Sequence, residues 1–358
     1  MPIDKTKKDV YVWYSNATNV TGENLAKTLG FKHGSTKPTL SKTSLIVAWG
    51  AKTDEPTSLG GVPVLNHPDN IRDNRNKLAA LELMKKAKVS VAPFCTENDP
   101  ASMKKAGVKL PIIGRTKYHQ GGKGFWNCPT MSHVDAAKQE GAFYFQNLIE
   151  IRDEFRLHIV GDKCIYAVKK VKRSVEEMEA AYIKHETDRQ KALAEKNGDV
   201  LDENTMTTFL RRQAKKFAQD GANMLIRSNR LGWKFMHVKT ADKKLVDEAV
   251  KACKAVGLDF GAVDCCFSVD GIPYIIEINS GPGLEETSFG LWVNALQELI
   301  NEKLGTEDKV SKSKIATGTK AMTKESLMNK LALAKEMVDV ADENDTATLN
   351  KIFKRMFE

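Results

Sequence analysis

The stretch from Gly261 to Glu285 restricts the folds open to this chain more than any other part of its sequence. It contains Asp270-Gly271, a strong signal for a two-residue hairpin turn, with an apolar segment on each side. A two-residue turn fixes the register of the two strands, and that register places Asp264 directly opposite Glu277. The sequence therefore predicts an antiparallel strand pair over 260–279 in which two carboxylates face each other.

Three oxygen-bearing side chains come together in that register. Alternation places Glu277 and Asn279 on one face of the second strand, and Ile276 and Ile278 on the other. Facing carboxylates repel each other unless a cation or a proton lies between them, and hard oxygen ligands suit Mg²⁺ or Mn²⁺. The alternative is a half-exposed strand pair with polar residues outward. The glycine-rich segment that follows Asn279 favours the metal site.

A second hairpin is predicted around Gly161-Asp162, which separates two segments of alternating hydrophobicity. With a two-residue turn Glu154 faces Lys169, and Arg156 lies on the same face of the sheet. The intervening residues of the first strand point to a hydrophobic core. A cross-strand salt bridge of purely structural value is the alternative to a ligand-binding role for this pair.

The order of the predicted elements indicates an α/β protein with several lobes. Strands and a helix alternate up to about residue 70, which is typical of a small doubly wound lobe. The segment 174–220 is long, charged and helical, and Asn197-Gly198-Asp199 divides it into a helical hairpin. The predicted domains are an N-terminal lobe (1–72), a central lobe (73–150), a C-terminal lobe (151–304) with the helical insertion 174–220, and a linker with a helical tail (305–358).

Composition excludes some classes of protein. The net charge of +9 is compatible with a polyanionic partner, but it is spread along the chain without long runs of like charge. The six cysteines form no C-x-x-C pair, which favours buried thiols in a reducing compartment. No apolar run approaches the roughly 20 residues that span a bilayer, and the charged start, Met1 to Lys8, lacks an apolar secretory segment. We expect a cytoplasmic protein with no membrane partner.

The stretches Gly257 to Gly261 and Glu277 to Glu285 together resemble the C-terminal signature of ATP-grasp ligases. They are most similar to the branch that contains the ribosomal-protein glutamate ligase and the lysine-biosynthesis carrier-protein ligases. The resemblance implies an ATP-grasp fold, in which two lobes clasp ATP behind an N-terminal lobe. It also implies that Asp264, Glu277 and Asn279 hold two Mg²⁺ (or Mn²⁺) ions that bridge the ATP phosphates.

The same resemblance implies the nucleotide contacts. Glu154 takes the position of the acidic residue that binds the ribose hydroxyls. Lys77 resembles a phosphate-binding lysine at a helix start, and Arg115 stands where the family usually has a second such lysine. A phosphate-covering loop would follow Arg115. The remaining residues that we assign to the nucleotide are those of this loop, Gln120, Gly121, Gly122 and Lys123, those of the adenine-binding connection, Gln146, Asn147 and Ile149, and Lys169 of the second hairpin.

Residues for acyl transfer are implied in the same way. Ile226-Arg227-Ser228-Asn229 resembles an element of the glutamate-ligase branch in which the arginine and the asparagine approach the transferred phosphoryl group. Arg227, Asn229 and Arg156 are therefore the catalytic candidates. We assign Ser280, Gly281 and Gly283 to substrate binding.

The implied reaction joins a carboxylate to an amine through an acyl phosphate, with ADP as a product. One substrate is expected to be an amino acid, and the other a small molecule, a peptide, a protein or a modified nucleic acid. A catalytically silent ATP-binding regulatory module on the same fold is the alternative. A protein that binds nucleic acid through its basic surface ranks last, because no nucleic-acid motif is legible.

The insertion carries one further feature. Arg211, Arg212, Lys215 and Lys216 recur at helical spacing and form a basic stripe. A solvated helix face is the simplest interpretation of this stripe. The alternative is a docking surface for an acidic peptide, a protein tail or a nucleic acid. The leucines of the C-terminal tail could pack on the body of the protein, on a second subunit in a homo-oligomer or on a partner.

Overall fold

Residues 9–16, 19–118, 124–197 and 203–305 are described by the structure, a computed structural model, and all of them belong to one compact unit. Three predicted features lie outside these residues. They are the loop with Gln120, Gly121, Gly122 and Lys123, the turn at Gly198-Asp199, and the helical tail beyond residue 305. Within the described ranges, no helix is both long enough and apolar enough to cross a membrane.

The N-terminal part of the chain forms a parallel sheet with helices. Its elements are β1 (Asp9–Tyr14), α1 (Val20–Leu29), β2 (Lys32–Gly34), β3 (Thr43–Trp49), β4 (Val64–Leu65), α2 (Pro68–Arg75) and α3 (Lys77–Lys86). The strand order is β2-β1-β3-β4, and every pair is parallel. Six of the seven residues of β3 are buried, as expected of a central parallel strand. Its apolar run is the reason that this strand could be predicted.

The middle part forms a second, antiparallel sheet. Its elements are β5 (Phe94–Cys95), α4 (Pro100–Lys105), β6 (Ile112–Arg115), β7 (Phe125–Cys128), α5 (Met131–Gln139) and β8 (Tyr144–Asn147). The strand order is β5-β8-β6-β7. Arg115 is the last residue of β6, at the end of the strand from which the chain enters the glycine-rich loop. The sheet therefore sets the position of Arg115.

The third sheet contains both predicted hairpins. Its strands and the associated helices are β9 (Ile151–Val160), β10 (Lys163–Lys172), α6 (Val175–Asn197), α7 (Glu203–Asp220), β11 (Trp233–His237), α8 (Lys243–Ala255), β12 (Phe260–Ser268), β13 (Pro273–Asn279) and α9 (Glu286–Leu304). The order β11-β10-β9-β12-β13 places β9 and β12 side by side at the centre. Because of this order, the first and second hairpins share one continuous face.

Buried side chains from all three sheets meet in one core. Ile46 of β3, Phe94 of β5 and Leu157 of β9 belong to it, and Leu245 of α8 covers it. A second core joins β3, β12 and α9 through stacked and edge-on aromatic rings, with Trp49 and Trp292 at 5.0 Å between ring centroids. The sheets are therefore held as one body around the site.

The first hairpin keeps the predicted pairing of Asp264 with Glu277, although its turn differs from the prediction. Ser268 and Ile272 are hydrogen-bonded across a three-residue loop, 269–271, in which Gly271 has a φ of +77°. The predicted two-residue turn is therefore wrong. A bulge beside Asp264 shifts the strands by one residue and restores the predicted pair.

The bulge also changes which side chains of β13 are buried. Ile275 and Ile278 are buried, whereas Ile276, the extra residue of the bulge, is 40% exposed. The prediction that Ile276 and Ile278 share one apolar face is wrong, because period-two alternation does not continue through a bulge. Glu277 and Asn279, which lie beyond it, still alternate around buried Ile278.

A bulge also shifts the second hairpin. The pairs are as predicted near the turn, but the register shifts between Cys164 and Tyr166, and Glu154 then lies opposite Lys170. The predicted pairing of Glu154 with Lys169 is wrong, because the inserted residue moves every later side chain of β10 by one position. Lys169 instead forms an ion pair with Asp153 at 2.6 Å.

Candidate active site

Asp264 lies at the centre of the third sheet, between Arg156 on β9 and Glu277 on β13. Arg156 donates from Nε to Oδ1 at 2.7 Å and from Nη2 to Oδ2 at 2.9 Å. Asp264 is only 4% exposed. Burial opposes its ionisation, but the charges of Arg156 and Lys170 outweigh that effect and lower the pKa of Asp264. Asp264 is therefore held as a carboxylate.

Glu154 and Lys170 form a second buried pair beside the first. Their ion pair joins β9 to β10, and Lys170 Nζ also lies 3.9 Å from Asp264 Oδ2. Burial raises the pKa of Glu154, and the charge of Lys170 opposes that effect. For Lys170, burial lowers the pKa but Asp264 and Glu154 together raise it. Lys170 thus stays protonated and bridges the two carboxylates.

Arg227, in the segment before β11, approaches these two buried ion pairs. Its guanidinium lies 4.6 Å from the centre of the Trp233 ring, and Nη2 donates to the carbonyl oxygen of Ile151 at 2.8 Å. The Nε atom is buried and has no hydrogen-bond partner among the described residues, with Glu154 Oε2 at 3.8 Å. An arginine fixed in this way retains an unsatisfied donor, which suits recognition of an anion.

Two further basic side chains, from elements that precede β9 in the chain, lie near these ion pairs. Lys77, the first residue of α3, lies 3.5 Å from Glu277 Oε2. Arg115 lies 5.4 Å from the centre of the Phe125 ring. Burial lowers the pKa of Arg115, while nearby Tyr144 and Glu277 oppose that effect. Helix α3 and strand β6 therefore both present a positive charge to β13.

The charges of the site do not balance. The basic side chains are Lys77, Arg115, Arg156, Lys170 and Arg227, and the carboxylates are Glu154, Asp264 and Glu277. Five minus three leaves two positive charges in a largely buried region. Such a surplus is costly for the protein alone and favours a polyanionic ligand, such as the phosphates of a nucleotide.

The donor set of the predicted metal site fits a hard cation, with one restriction. Glu277 and Asn279 lie on the same face of β13, and the Glu277 side chain is 30% exposed. Asp264 already accepts two hydrogen bonds from Arg156, but a carboxylate has about four lone-pair positions. It can therefore serve Arg156 and a cation together. The described residues contain no cluster of three or more His, Cys, Asp or Glu side chains suited to a metal ion, and the third oxygen donor here is an asparagine.

The structure does not bring every predicted residue into this group. Asn229 is exposed, and its Oδ1 accepts from Arg173 at 3.2 Å. In the predicted adenine-binding connection, the side chain of Gln146 donates to the carbonyl oxygen of Ala92 at 3.3 Å. Asn147 Oδ1 accepts from the backbone of Lys109, so this side chain supports a neighbouring loop. Ile149 lies in the segment between β8 and β9.

The segment after β13 approaches the N-terminal sheet very closely. A Cβ atom on Gly281 would lie 2.8 Å from the nitrogen and 2.9 Å from the Cα of Gly50, which has a φ of +65°. Gly281 is thus required for backbone packing, which the sequence did not reveal. Gly283, by contrast, borders open space, and Ser280 is buried.

Two residues of the site were missed from the sequence. Lys170 was passed over because the bulge in β10 was not foreseen, although the Lys169-Lys170 pair was a visible signal. Trp233 was missed because its contact with Arg227 depends on the path of the chain from α7 to β11. Nothing in the local sequence pattern indicates that contact.

No family profile and no curated protein matches the chain, whereas solved structures do. The ATP-grasp ligase PsnB complexed with minimal precursor, Mg and ADP aligns with a TM-score of 0.51 and 13% identity, over 84% of this chain and 99% of PsnB. The N5-carboxyaminoimidazole synthetase from Staphylococcus aureus complexed with ADP aligns with a TM-score of 0.50 and 11% identity, over 79% of this chain and 73% of that protein.

Identities this low indicate a shared fold rather than a shared reaction. The three sheets, their mixed α/β connections and these structural neighbours agree on one architecture: this chain has the ATP-grasp fold.

Proposed function

We propose that this protein is an ATP-dependent ligase that joins a carboxylate to an amine and forms ADP and phosphate. The observation that carries the proposal is the buried group in which Arg156, Lys170 and Arg227 surround Asp264 and Glu154. A surplus of fixed positive charge at this place in an ATP-grasp fold suits the transfer of a phosphoryl group.

The reaction that we propose has two steps. A carboxylate oxygen of the first substrate attacks the γ-phosphorus of ATP, the bond to the bridging oxygen of ADP breaks, and an acyl phosphate forms. The nitrogen of an amine then attacks the acyl carbon, and phosphate leaves with the bonding electrons while the amine loses a proton. The protein supplies positioning and charge, so no nucleophilic serine or cysteine is required.

Each basic residue has a proposed role in this reaction. Arg227, with its buried unsatisfied Nε, faces the charge that develops on the transferred group. Lys77 and Arg115 bind the phosphates from the other side. Arg156 and Lys170 hold Asp264 as a carboxylate in a fixed orientation. We propose Glu154 for the ribose, although its buried pairing with Lys170 requires the nucleotide to reach it past that ion pair.

Asp264, Glu277 and Asn279 would hold Mg²⁺. The bound cation would neutralise the phosphate oxygens and orient the γ-phosphoryl group for attack. Asp264 would share its oxygens with Arg156, which keeps the carboxylate from rotating away. PsnB is described with Mg and ADP, and we extend that chemistry to this chain as part of the proposal.

Phosphate release tests the proposal. Release from ATP is expected to require Mg²⁺ together with one carboxylate and one amine, and a panel of amino acids is the first set of substrates. Asp264→Asn and Glu277→Gln are expected to abolish release while the fold, measured by circular dichroism, is retained. Asp247→Asn, which removes a carboxylate from the exposed ion pair with Lys243 on α8, is the matched control and should remain active. Unchanged turnover in both site variants would contradict the metal role.

A second candidate is a nucleotide-binding module without catalysis. The observation that favours it is the two-point pairing of Asp264 with Arg156, which gives this carboxylate a structural role that needs no metal ion. Calorimetry separates the two candidates. Tight binding of ATP that is unaffected by Mg²⁺, without phosphate release across the amino-acid panel, would support the silent module and overturn the ligase.

A further inference from the structure

The exposed face of α7 combines basic side chains with an unpartnered aromatic ring. Phe209, Arg212 and Lys216 lie at i, i+3 and i+7, so they form one row along the helix, with Arg211 and Lys215 beside it. Phe209 is 61% exposed, and the four basic residues are also exposed. A solvated helix face has no need of an exposed phenylalanine at the end of a row of charges.

The opposite side of α7 is packed. Leu210, Ala214 and Ala218 recur at four-residue spacing and are buried, and α7 packs along α6. The basic row therefore faces away from the helical hairpin and is open to a partner. None of the four basic residues takes part in an ion pair with a carboxylate of the described part of the chain. Their charge is available for a negatively charged ligand.

The C-terminal end of α7 leads directly to the candidate active site. Ala218 packs in a small core with Trp233, and the ring of Trp233 lies against the guanidinium of Arg227. At about 1.5 Å per residue, the row from Arg212 to Lys216 begins roughly 10 Å before this contact. The segment in between, after α7, exposes Met224 (59%) and Leu225 (43%). Lys216 thus lies within one helical turn of Ala218, which packs with Trp233, and Met224 and Leu225 lie a few positions before Arg227 in the chain.

We propose that this surface, defined by Phe209, Arg212, Lys216, Met224 and Leu225, docks an acidic polypeptide segment with apolar side chains, which belongs to the acceptor of the ligation. The inference rests on the proposed function, since it names the class of substrate for the same site. The four basic residues attract the carboxylates of the segment, while Phe209, Met224 and Leu225 bury its apolar side chains.

The surroundings favour a polypeptide over a nucleic acid. Helix α6, which lies beside α7, exposes Glu176 and Asp188 as well as Lys184 and Arg189, so charges of both signs border the basic row. A duplex backbone would need a broader basic surface and would meet these carboxylates. The exposed apolar side chains of Phe209, Met224 and Leu225 have partners on a peptide but not on a phosphate backbone.

Binding to a labelled probe peptide tests the inference. The probe is a fluorescein-labelled peptide of about ten residues, composed of glutamate with interspersed phenylalanine and leucine, and its affinity for the full chain is measured by anisotropy without nucleotide. The double variant Arg212→Glu, Lys216→Glu is expected to bind at least about tenfold more weakly. Phe209→Ser is expected to weaken binding without changing its dependence on salt.

The matched control reverses the same number of charges elsewhere. Lys104→Glu, Lys105→Glu changes two exposed lysines of α4 and is expected to leave the affinity within about twofold. If both double variants lose the same affinity for the peptide, the peptide is attracted by the net positive charge of the protein and not by α7, and the inference is overturned. No binding by the unmodified chain, or tighter binding of a single-stranded oligonucleotide that is lost in the α7 variant, would overturn it as well.

A separate readout distinguishes this inference from the proposed function. ATP and Mg²⁺ binding is measured by calorimetry in the same α7 variants, in which it is expected to be unchanged, because no residue of the ion-pair group is altered. Loss of peptide docking with intact nucleotide binding supports the inference. If the unmodified chain binds the peptide but does not bind ATP, the docking surface is supported and the proposed ligase function is contradicted.

Discussion

Arg156 donates two hydrogen bonds to Asp264, at 2.7 and 2.9 Å, although the two residues are 108 positions apart in the chain. They are cross-strand neighbours on β9 and β12. The contact fixes both oxygens of a buried carboxylate and at the same time leaves lone pairs for a cation. Stability and the proposed metal site therefore depend on the same pair.

Removal of the two-point contact is the first prediction. Arg156→Lys retains the charge but cannot hold both oxygens, and it is expected to lower phosphate release by about 10²–10³-fold. Arg156→Met leaves Asp264 buried without its main partner and is expected to cost about 3–5 kcal/mol of unfolding free energy. Urea denaturation measures this cost.

The control for Arg156 is the exposed arginine on the same strand. Arg152 pairs with Asp153 through Nε at 2.9 Å, and Arg152→Met is expected to cost less than about 1 kcal/mol. A similar loss of stability in Arg156→Met and Arg152→Met would contradict the buried character of the pair.

Lys169 and Lys170 are adjacent but are expected to differ strongly. Lys170→Met removes the cation between Glu154 and Asp264 and is expected to destabilise the protein by about 3 kcal/mol. Lys169→Met breaks only a partly exposed pair with Asp153 and is expected to cost at most about 1 kcal/mol. Thermal denaturation of the two variants tests the bulge in β10.

A double-mutant cycle refines that test. Glu154→Gln in the Lys170→Met background is expected to recover part of the lost stability, because the uncompensated carboxylate is removed. Equal costs for the two lysine variants, or no coupling between Lys170 and Glu154, would mean that the register is the unshifted one.

Alanine substitutions at Gly281 and Gly283 distinguish a role in backbone packing from a role in substrate binding. Gly281→Ala brings a Cβ atom to 2.8 Å from the backbone nitrogen of Gly50 and is expected to destabilise the protein by about 1–3 kcal/mol. Gly283→Ala meets no atom within 4 Å and is expected to leave stability nearly unchanged. Melting temperatures of both variants provide the measurement. A stable Gly281→Ala variant with impaired turnover would instead support the predicted substrate role.

The stability of the protein is expected to fall between pH 6.5 and 4 because of His158. Burial, together with the charge of Arg156, lowers the pKa of His158 to about 4. In that window the unfolded chain binds a proton that the folded protein does not, so stability is complete above pH 6.5 and is lost as pH falls. The full loss is about 3 kcal/mol.

A single substitution isolates this contribution. His158 Nδ1 accepts from Trp292 Nε1 at 2.7 Å, and His158→Asn retains an acceptor there without a titrating ring. Unfolding free energies of both proteins are compared from pH 7 to 5, where carboxylate titration contributes least. The variant is expected to be less stable at pH 7 but to show a smaller slope. Parallel slopes would exclude His158 as the source.

Much of the fold could be predicted because its signals are local. The apolar run of β3 and the turn signal at Asp270-Gly271 each lie within a few residues of the structure that they specify. The prediction that Asp264 faces Glu277 was also correct, although the turn from which it was derived was not. The longer loop and the bulge shift the register in opposite directions, and the two shifts cancel at this pair.

The sequence by itself determined the α/β character of the chain, the two hairpins and the three oxygen donors of the proposed metal site. Only the tertiary structure decided that Lys170 faces Glu154, that Arg156 holds Asp264 and that Gly281 packs on Gly50. A bulge depends on how a strand fits its neighbours, and the pairing of β9 with β12 joins segments about a hundred residues apart. Local periodicity carries information about neither, because both follow from how the whole sheet packs.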